Sequence, residues 1–252
     1  MESIKVYKER ALTSLKGNWG KGVVATLVYF LLIYLPPIVV VGLGLDASGF
    51  LPAAVDRLFS SVWQIVLLPV SWGFSVFFFE ISRGKNVRVG SLFDGMKQYG
   101  RIFTTEFLVG LYVVLWMMLP IIFILILYVA TADLNFFFSG VAILASLVIY
   151  FYKYYSYAMV PYILKDNPEI KNNKAINLSM KMMEDYKTDL FLLDLSMIGW
   201  FILSILTCGI GFLLLIPYVK TVHAHFYEEV KQDLENSRRA FEALGIRLNL
   251  QD

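Results

Sequence analysis

FLVGLYVVLWMMLPIIFILILYVATA, residues 107–132, contains no charged side chain. A hydrocarbon core about 30 Å thick is crossed by about 20 apolar residues of helix. This stretch is longer than that. Four more windows free of Asp, Glu, Lys and Arg follow the same pattern: 22–45, 58–79, 134–152 and 195–219. A soluble domain of this size does not bury five such helices in one core. The chain is 58% hydrophobic and only 17% charged, against about 25% charged in soluble domains. The fold class is therefore all-α: a polytopic membrane helical bundle.

The window 195–219 is long enough for two spans. Thr207, Cys208, Gly209, Ile210 and Gly211 place two glycines in its middle. Glycine lowers helix propensity and supplies the positive φ of a tight turn. A turn here gives six spans, at about 22–45, 58–80, 104–131, 136–164, 189–207 and 209–227. An interfacial helix at 4–18 and an amphipathic tail at 228–245 complete one integral membrane domain over 1–252.

Charge supports the count. Lys and Arg gather in short cytoplasmic loops. Six spans place Lys5, Lys8, Arg10, Lys16 and Lys21 on one side with Arg83, Lys85, Arg88, Lys97 and Arg101. Lys165, Lys171, Lys174, Lys181, Lys187, Lys231, Arg238, Arg239 and Arg247 join them. Lys153 and Lys220 fall inside spans, and only Arg57 lies opposite. Both termini are expected in the cytoplasm. The external loops are short: 46–57, one around Asp133, and the glycine turn.

A repeated unit precedes spans 1, 3 and 5. ALTSLKGNWGK at 11–21, SLFDGMKQYGR at 91–101 and AINLSMKMMEDYK at 175–187 each read as an amphipathic helix ending in an aromatic beside a basic residue. The bilayer interface favours that pairing. Three hairpins, each led by an interfacial helix, are the expected plan.

Several segments carry a resemblance. ILKDNP at 163–168, AINLSMKMM at 175–183, LFLLDLSMIGW at 190–200, LTCGIG at 206–211, Pro217-Tyr218 and FYEE at 226–229 join ALTSLKGNW at 11–19. Together they resemble a family of bacterial integral membrane proteins, domain of unknown function 975. In that pattern spans 3 and 4 meet at an Ile-Pro-Gly turn; here Leu119-Pro120-Ile121 lacks the glycine. The resemblance implies a bacterial cytoplasmic membrane location and supplies no reaction.

Ionisable groups inside a membrane are costly and default to functional candidates. Lys153 is 11 residues from the expected inner end of span 4, roughly 16 Å along a helix and near the midplane. Lys220 is similarly deep. Glu106 and Asp194 lie nearer the cytoplasmic side, placed to pair with the lysines. Tyr157 and His223 complete a candidate ligand-binding set: lysines for an anionic or amphiphilic ligand, tyrosines for orientation. The same residues also read as structural, with snorkelling lysines or ion pairs fixing helix packing. His223 and His225 project about 200° apart on a helix and do not chelate one ion together.

No nucleophile–base, metal or phosphate-loop motif is present in the sequence. One cysteine, Cys208, excludes an intramolecular disulfide and a Cys-based zinc site. A net charge of +2 without a basic patch does not suit nucleic acid. No cleaved signal peptide, catalytic residue, metal or cofactor is expected. Three readings stay open: a protein that binds or moves a lipid-like or small amphiphilic or anionic ligand through a polar site in the inner half of the bundle; a membrane scaffold that recruits partners through its cytoplasmic amphipathic helices; and an intramembrane enzyme. Membrane lipids are the expected partners, with a possible protein partner at the cytoplasmic face. The oligomeric state is open.

Overall fold

The helix through residues 195–219 ends at Leu206 and restarts at Phe212. Cys208 and Gly209 between them have φ of 51° and 87°. The left-handed region is cheap for glycine and uncommon for cysteine, so the turn rests on Gly209. The glycine pair thus divides the run as the sequence indicates. The computed structural model describes residues 3–42, 53–131 and 136–243. The loops expected at 46–57 and around Asp133 fall largely or wholly outside the described residues.

Helices account for all regular structure among the described residues. They are α1 (Ile4–Leu15), α2 (Trp19–Gly42), α3 (Ala53–Val66), α4 (Leu68–Ser82), α5 (Asp94–Lys97) and α6 (Tyr99–Thr131). Then come α7 (Phe136–Tyr157), α8 (Val160–Asp166), α9 (Asn172–Met182), α10 (Lys187–Leu195), α11 (Ile198–Leu206) and α12 (Phe212–Ala243). A 3₁₀ turn at Val89–Phe93 precedes α5.

Four segments are long and apolar enough to cross a membrane: Trp19–Val39, Tyr99–Val129, Phe138–Asp166 and Lys187–Leu206. A fifth, Arg57–Val66 with Leu68–Ser82, is bent by 47°. Pro69 in the first turn of α4 explains the bend, since proline has no N–H to continue α3. The sixth expected span, 209–227, is the first half of α12, and it is not among the segments that meet this standard of length and hydropathy. Lys220, His223 and His225 lower its hydropathy, and the helix runs on without a break through the expected tail.

The chain divides into two compact units. One comprises residues 1–98 and 188–252, the other 99–187. In the first, α4 is the centre. It packs against α1, α2, α12, the 3₁₀ turn and α5. Phe74, Phe77, Phe78 and Phe79 are all buried, with Phe78 set edge-on to both Phe74 and Phe77. Two glycines let backbones touch. A Cβ on Gly73 would lie 2.0 Å from the Leu92 carbonyl oxygen, and one on Gly95 would lie 2.1 Å from that of Pro69. The first unit also pairs α2 with α3 and α4, and α11 with α12.

In the second unit α6 and α7 form a hairpin, and α9 packs against α6, α7 and α8. Apolar side chains along α6, such as Leu115, Phe123 and Val129, are exposed. That is the expected face of a helix solvated by lipid. Burial concentrates at α8 and α9: Met159, Ile163, Leu164, Ala175 and Met183 are fully covered.

The first and third leader segments hold helices, and the second is a 3₁₀ turn followed by one helical turn. α1, the 3₁₀ turn with α5, and α9 precede α2, α6 and α10, and Trp19 and Tyr99 open their spans. Two of the leaders do not lie freely on an interface. Tyr7, Ala11 and Leu15 repeat every four residues and are buried where α1 meets α4 and α12. Met182 and Met183 are buried in the second unit.

Gly73→Ala drives a methyl group into a backbone carbonyl that has nowhere to retreat. It should cost about 3 kcal/mol or more, read as a clear fall in Tm of the detergent-solubilised protein. Gly110→Ala, whose Cβ meets nothing within 4 Å, should leave Tm unchanged or slightly raised. Equal behaviour of the two variants contradicts the close approach of α4 to the 3₁₀ turn.

Candidate functional site

The first unit places Lys220, His223 and Asp194. Lys220 and His223 are three residues apart on α12, and so share a face. The Lys220 ammonium donates to Ser75 Oγ on α4 at 3.1 Å. Ser75 in turn donates to the Ser71 carbonyl at 3.4 Å. Tyr29 OH lies 3.1 Å from Ser71 Oγ and stacks its ring on Phe74 at 4.2 Å. His223 Nε2 lies 2.6 Å from Asp194 Oδ1 on α10, and both side chains are largely buried. His225 points elsewhere, to Ser14 Oγ on α1 at 2.9 Å. The two histidines therefore serve different helices, as their angular separation demands.

The second unit places Lys153, Tyr157 and Glu106. The Lys153 ammonium sits over the Trp116 ring, 4.0 Å from its centroid. The expectation was that the lysines pair with Glu106 and Asp194. An aromatic face attracts a cation through its quadrupole. The Trp116 side chain also hydrogen-bonds the buried Tyr157. Glu106 is half-buried on α6, one turn past the buried Ile102. Pro161 starts α8 and α7 stops at Tyr157, so the inner part of span 4 is not one straight helix. Lys153 is one turn from the end of α7, within the candidate span Phe138–Asp166.

Sequence reasoning missed several groups. Arg101, counted only as an orienting charge, donates to the carbonyls of Leu164 at 3.2 Å and Asn167 at 2.8 Å. It closes the C-terminus of α8, where carbonyls lack helical partners. Lys187, read as an interface marker, donates to Tyr152 OH at 3.0 Å. Neither contact has a periodic signature; they depend on where α8 ends and α10 begins.

A cavity of about 430 Å³ lies in the first unit, within the size range of ligand pockets. Its wall includes Trp19, Trp200, Leu203, Leu214, Leu215 and Tyr218. The wall hydroxyls of Ser204 and Thr207 are already bonded to backbone carbonyls, at 2.8 and 2.9 Å. The cavity therefore presents mostly carbon, edged by two indoles and a phenol. Lys220 is not among the residues that line it. Among the described residues no group of three or more His, Cys, Asp or Glu side chains is placed to hold a metal ion.

The model of the family described as Protein of unknown function (DUF975) matches residues 1–234. The chain belongs to that family. No curated protein and no solved structure matches it. The match takes in both units of this DUF975 chain and every candidate residue described above.

The His223–Asp194 bond ties α12 to α10. Asp194→Ala leaves a largely buried imidazole without its carboxylate and should destabilise the fold by roughly 1–3 kcal/mol, measured as a fall in Tm. Asp194→Asn, which retains a hydrogen-bonding side chain, should recover part of the loss. No difference between the two removes the bond from the set of stabilising contacts.

Proposed function

We propose that this DUF975 protein is a non-enzymatic, multi-pass protein of the bacterial cytoplasmic membrane, with both termini cytoplasmic, that binds or moves a lipid-like amphiphile. The observation that carries the reading is the apolar cavity walled by Trp19, Trp200, Leu203, Leu214 and Tyr218. A wall of carbon with few polar atoms suits an acyl chain and does not suit a free anion. Indoles and phenols at an apolar opening suit the junction between chain and headgroup.

The scaffold reading loses support from α1 and α9, whose apolar faces are spent on packing. It retains the polar end of α12, where Gln232, Asp233, Glu235, Asn236 and Ser237 are exposed. An enzyme would need a nucleophile with its base, or a metal group. The contacts around His223 and Lys220 join helices and supply no substrate-facing pair.

Trp19 and Trp200 report on the cavity directly. Dibrominated stearate, a quencher of indole fluorescence, should quench the detergent-solubilised protein saturably, at about one molecule per chain. Leu203→Phe with Leu214→Phe fills the cavity and should weaken this binding roughly tenfold, about 1.4 kcal/mol. Leu125→Phe, on the exposed face of α6, should not. Quenching that rises without saturation, and equally in all three proteins, overturns the proposal.

A further inference from the structure

We infer that the second unit carries a separate binding site for the phosphate of an anionic lipid headgroup, formed by Lys153 and Lys187 on either side of Tyr152. The site does not depend on the cavity or on its ligand. Lys187 Nζ lies 4.2 Å from the centroid of the Tyr152 ring and 3.0 Å from its hydroxyl oxygen. Lys153 Nζ lies 5.9 Å from the same centroid and 4.0 Å from that of Trp116. Two ammonium groups are thus gathered around one tyrosine. Among the described residues neither has a carboxylate within 4.0 Å; of the acids nearest Lys187 in the chain, Glu184 and Asp185 are exposed and Asp189 is half-buried on α10.

Two ammonium groups that share one ring repel each other, and the repulsion is strongest where lipid excludes water. Aromatic faces offset part of the cost. A phosphate oxygen lying between the ammoniums removes the rest. The position is right for a headgroup. Lys187 is the first residue of an apolar span, and Lys153 is one turn from the end of α7. Tyr152 and Trp116 are half-exposed, so the site opens outward rather than into the packed core. Lysine ammoniums bind phosphate as point charges, and interfacial aromatics hold the glycerol region.

The test compares full-length protein in nanodiscs of phosphatidylcholine with those containing phosphatidylglycerol. Lipid retained after transfer to detergent is counted by native mass spectrometry. The wild type should retain one phosphatidylglycerol in preference to phosphatidylcholine. Lys153→Gln with Lys187→Gln should lower that preference roughly 10- to 30-fold. Lys153→Arg with Lys187→Arg should keep it. Lys171→Gln with Lys174→Gln, which removes the same charge from exposed positions at the start of α9, should keep it too, so a general charge effect is separated from the site. Equal retention of the two lipids by wild type overturns the proposal, as does an unchanged preference in the double Gln protein. Displacement of phosphatidylglycerol by millimolar inorganic phosphate overturns the headgroup assignment in favour of a soluble anion. Loss of stearate binding in the cavity variants leaves all these outcomes unaltered.

Discussion

In a bilayer no water is available to a buried hydroxyl or a freed carbonyl, so the protein must pair each one itself. The fold follows from how this is done. Eight buried Ser and Thr residues occur among the described residues: Thr26, Ser75, Thr105, Ser146, Ser156, Ser179, Ser204 and Thr221. Seven donate to the carbonyl one turn earlier on the same helix. The eighth, Ser179, crosses from α9 to the Ser156 carbonyl of α7 at 2.9 Å. Local pairing leaves helix surfaces apolar and free to pack by shape. The single crossing bond fixes α9 where α7 is about to break. Prolines impose the same demand. Pro36 has no N–H, so the Leu32 carbonyl loses its helical donor. Trp63 Nε1 on α3 supplies one at 2.9 Å. The kinked helix and its neighbour are thereby held in one register.

The large features were legible because they arise from composition. Charge-free windows, basic loops and the glycine turn each follow from the cost of placing a polar group in hydrocarbon, which acts on residue type alone. Trp19 and Tyr99 mark helix starts for the same reason. What escaped depends on where helices stop. Lys153 was placed by counting along an unbroken span, whereas α7 ends at Tyr157 and Pro161 starts a new helix. The lysine there meets the Trp116 face. Arg101 looked like one more orienting charge. Its role needs the end of α8 to be known first.

The leader segments show how one pattern serves two purposes. Amphipathic helices beside basic residues read as membrane-surface elements, and any apolar stripe will do for that. In α1 the stripe is specific: Tyr7 meets Phe226 at 5.7 Å, and Ala11 and Leu15 are fully covered. Arg10 and Arg83 reach Glu229 and Glu228 on α12 at 3.9 and 2.5 Å. The helix is a structural wall of the first unit. That stripe is covered by α4 and α12 and is not open to a membrane surface.

The two units then differ in how they treat charge. In the first, His223 meets Asp194, Lys85 meets Glu80, and Arg83 meets Glu228, so charge is cancelled within the protein. What remains open to a ligand there is apolar. In the second, Lys153 and Lys187 rest on rings that attract cations without cancelling them. Cation–π contact is worth about 0.5–2 kcal/mol, well below the cost of leaving an ammonium uncompensated in hydrocarbon. The positive potential around Tyr152 therefore persists until an external anion meets it. At the inner edge of a bilayer the densest source of anions is the lipid itself. On the readings proposed above, the cavity of the first unit suits an acyl chain and the lysines of the second suit a phosphate, each judged on its own unit's chemistry.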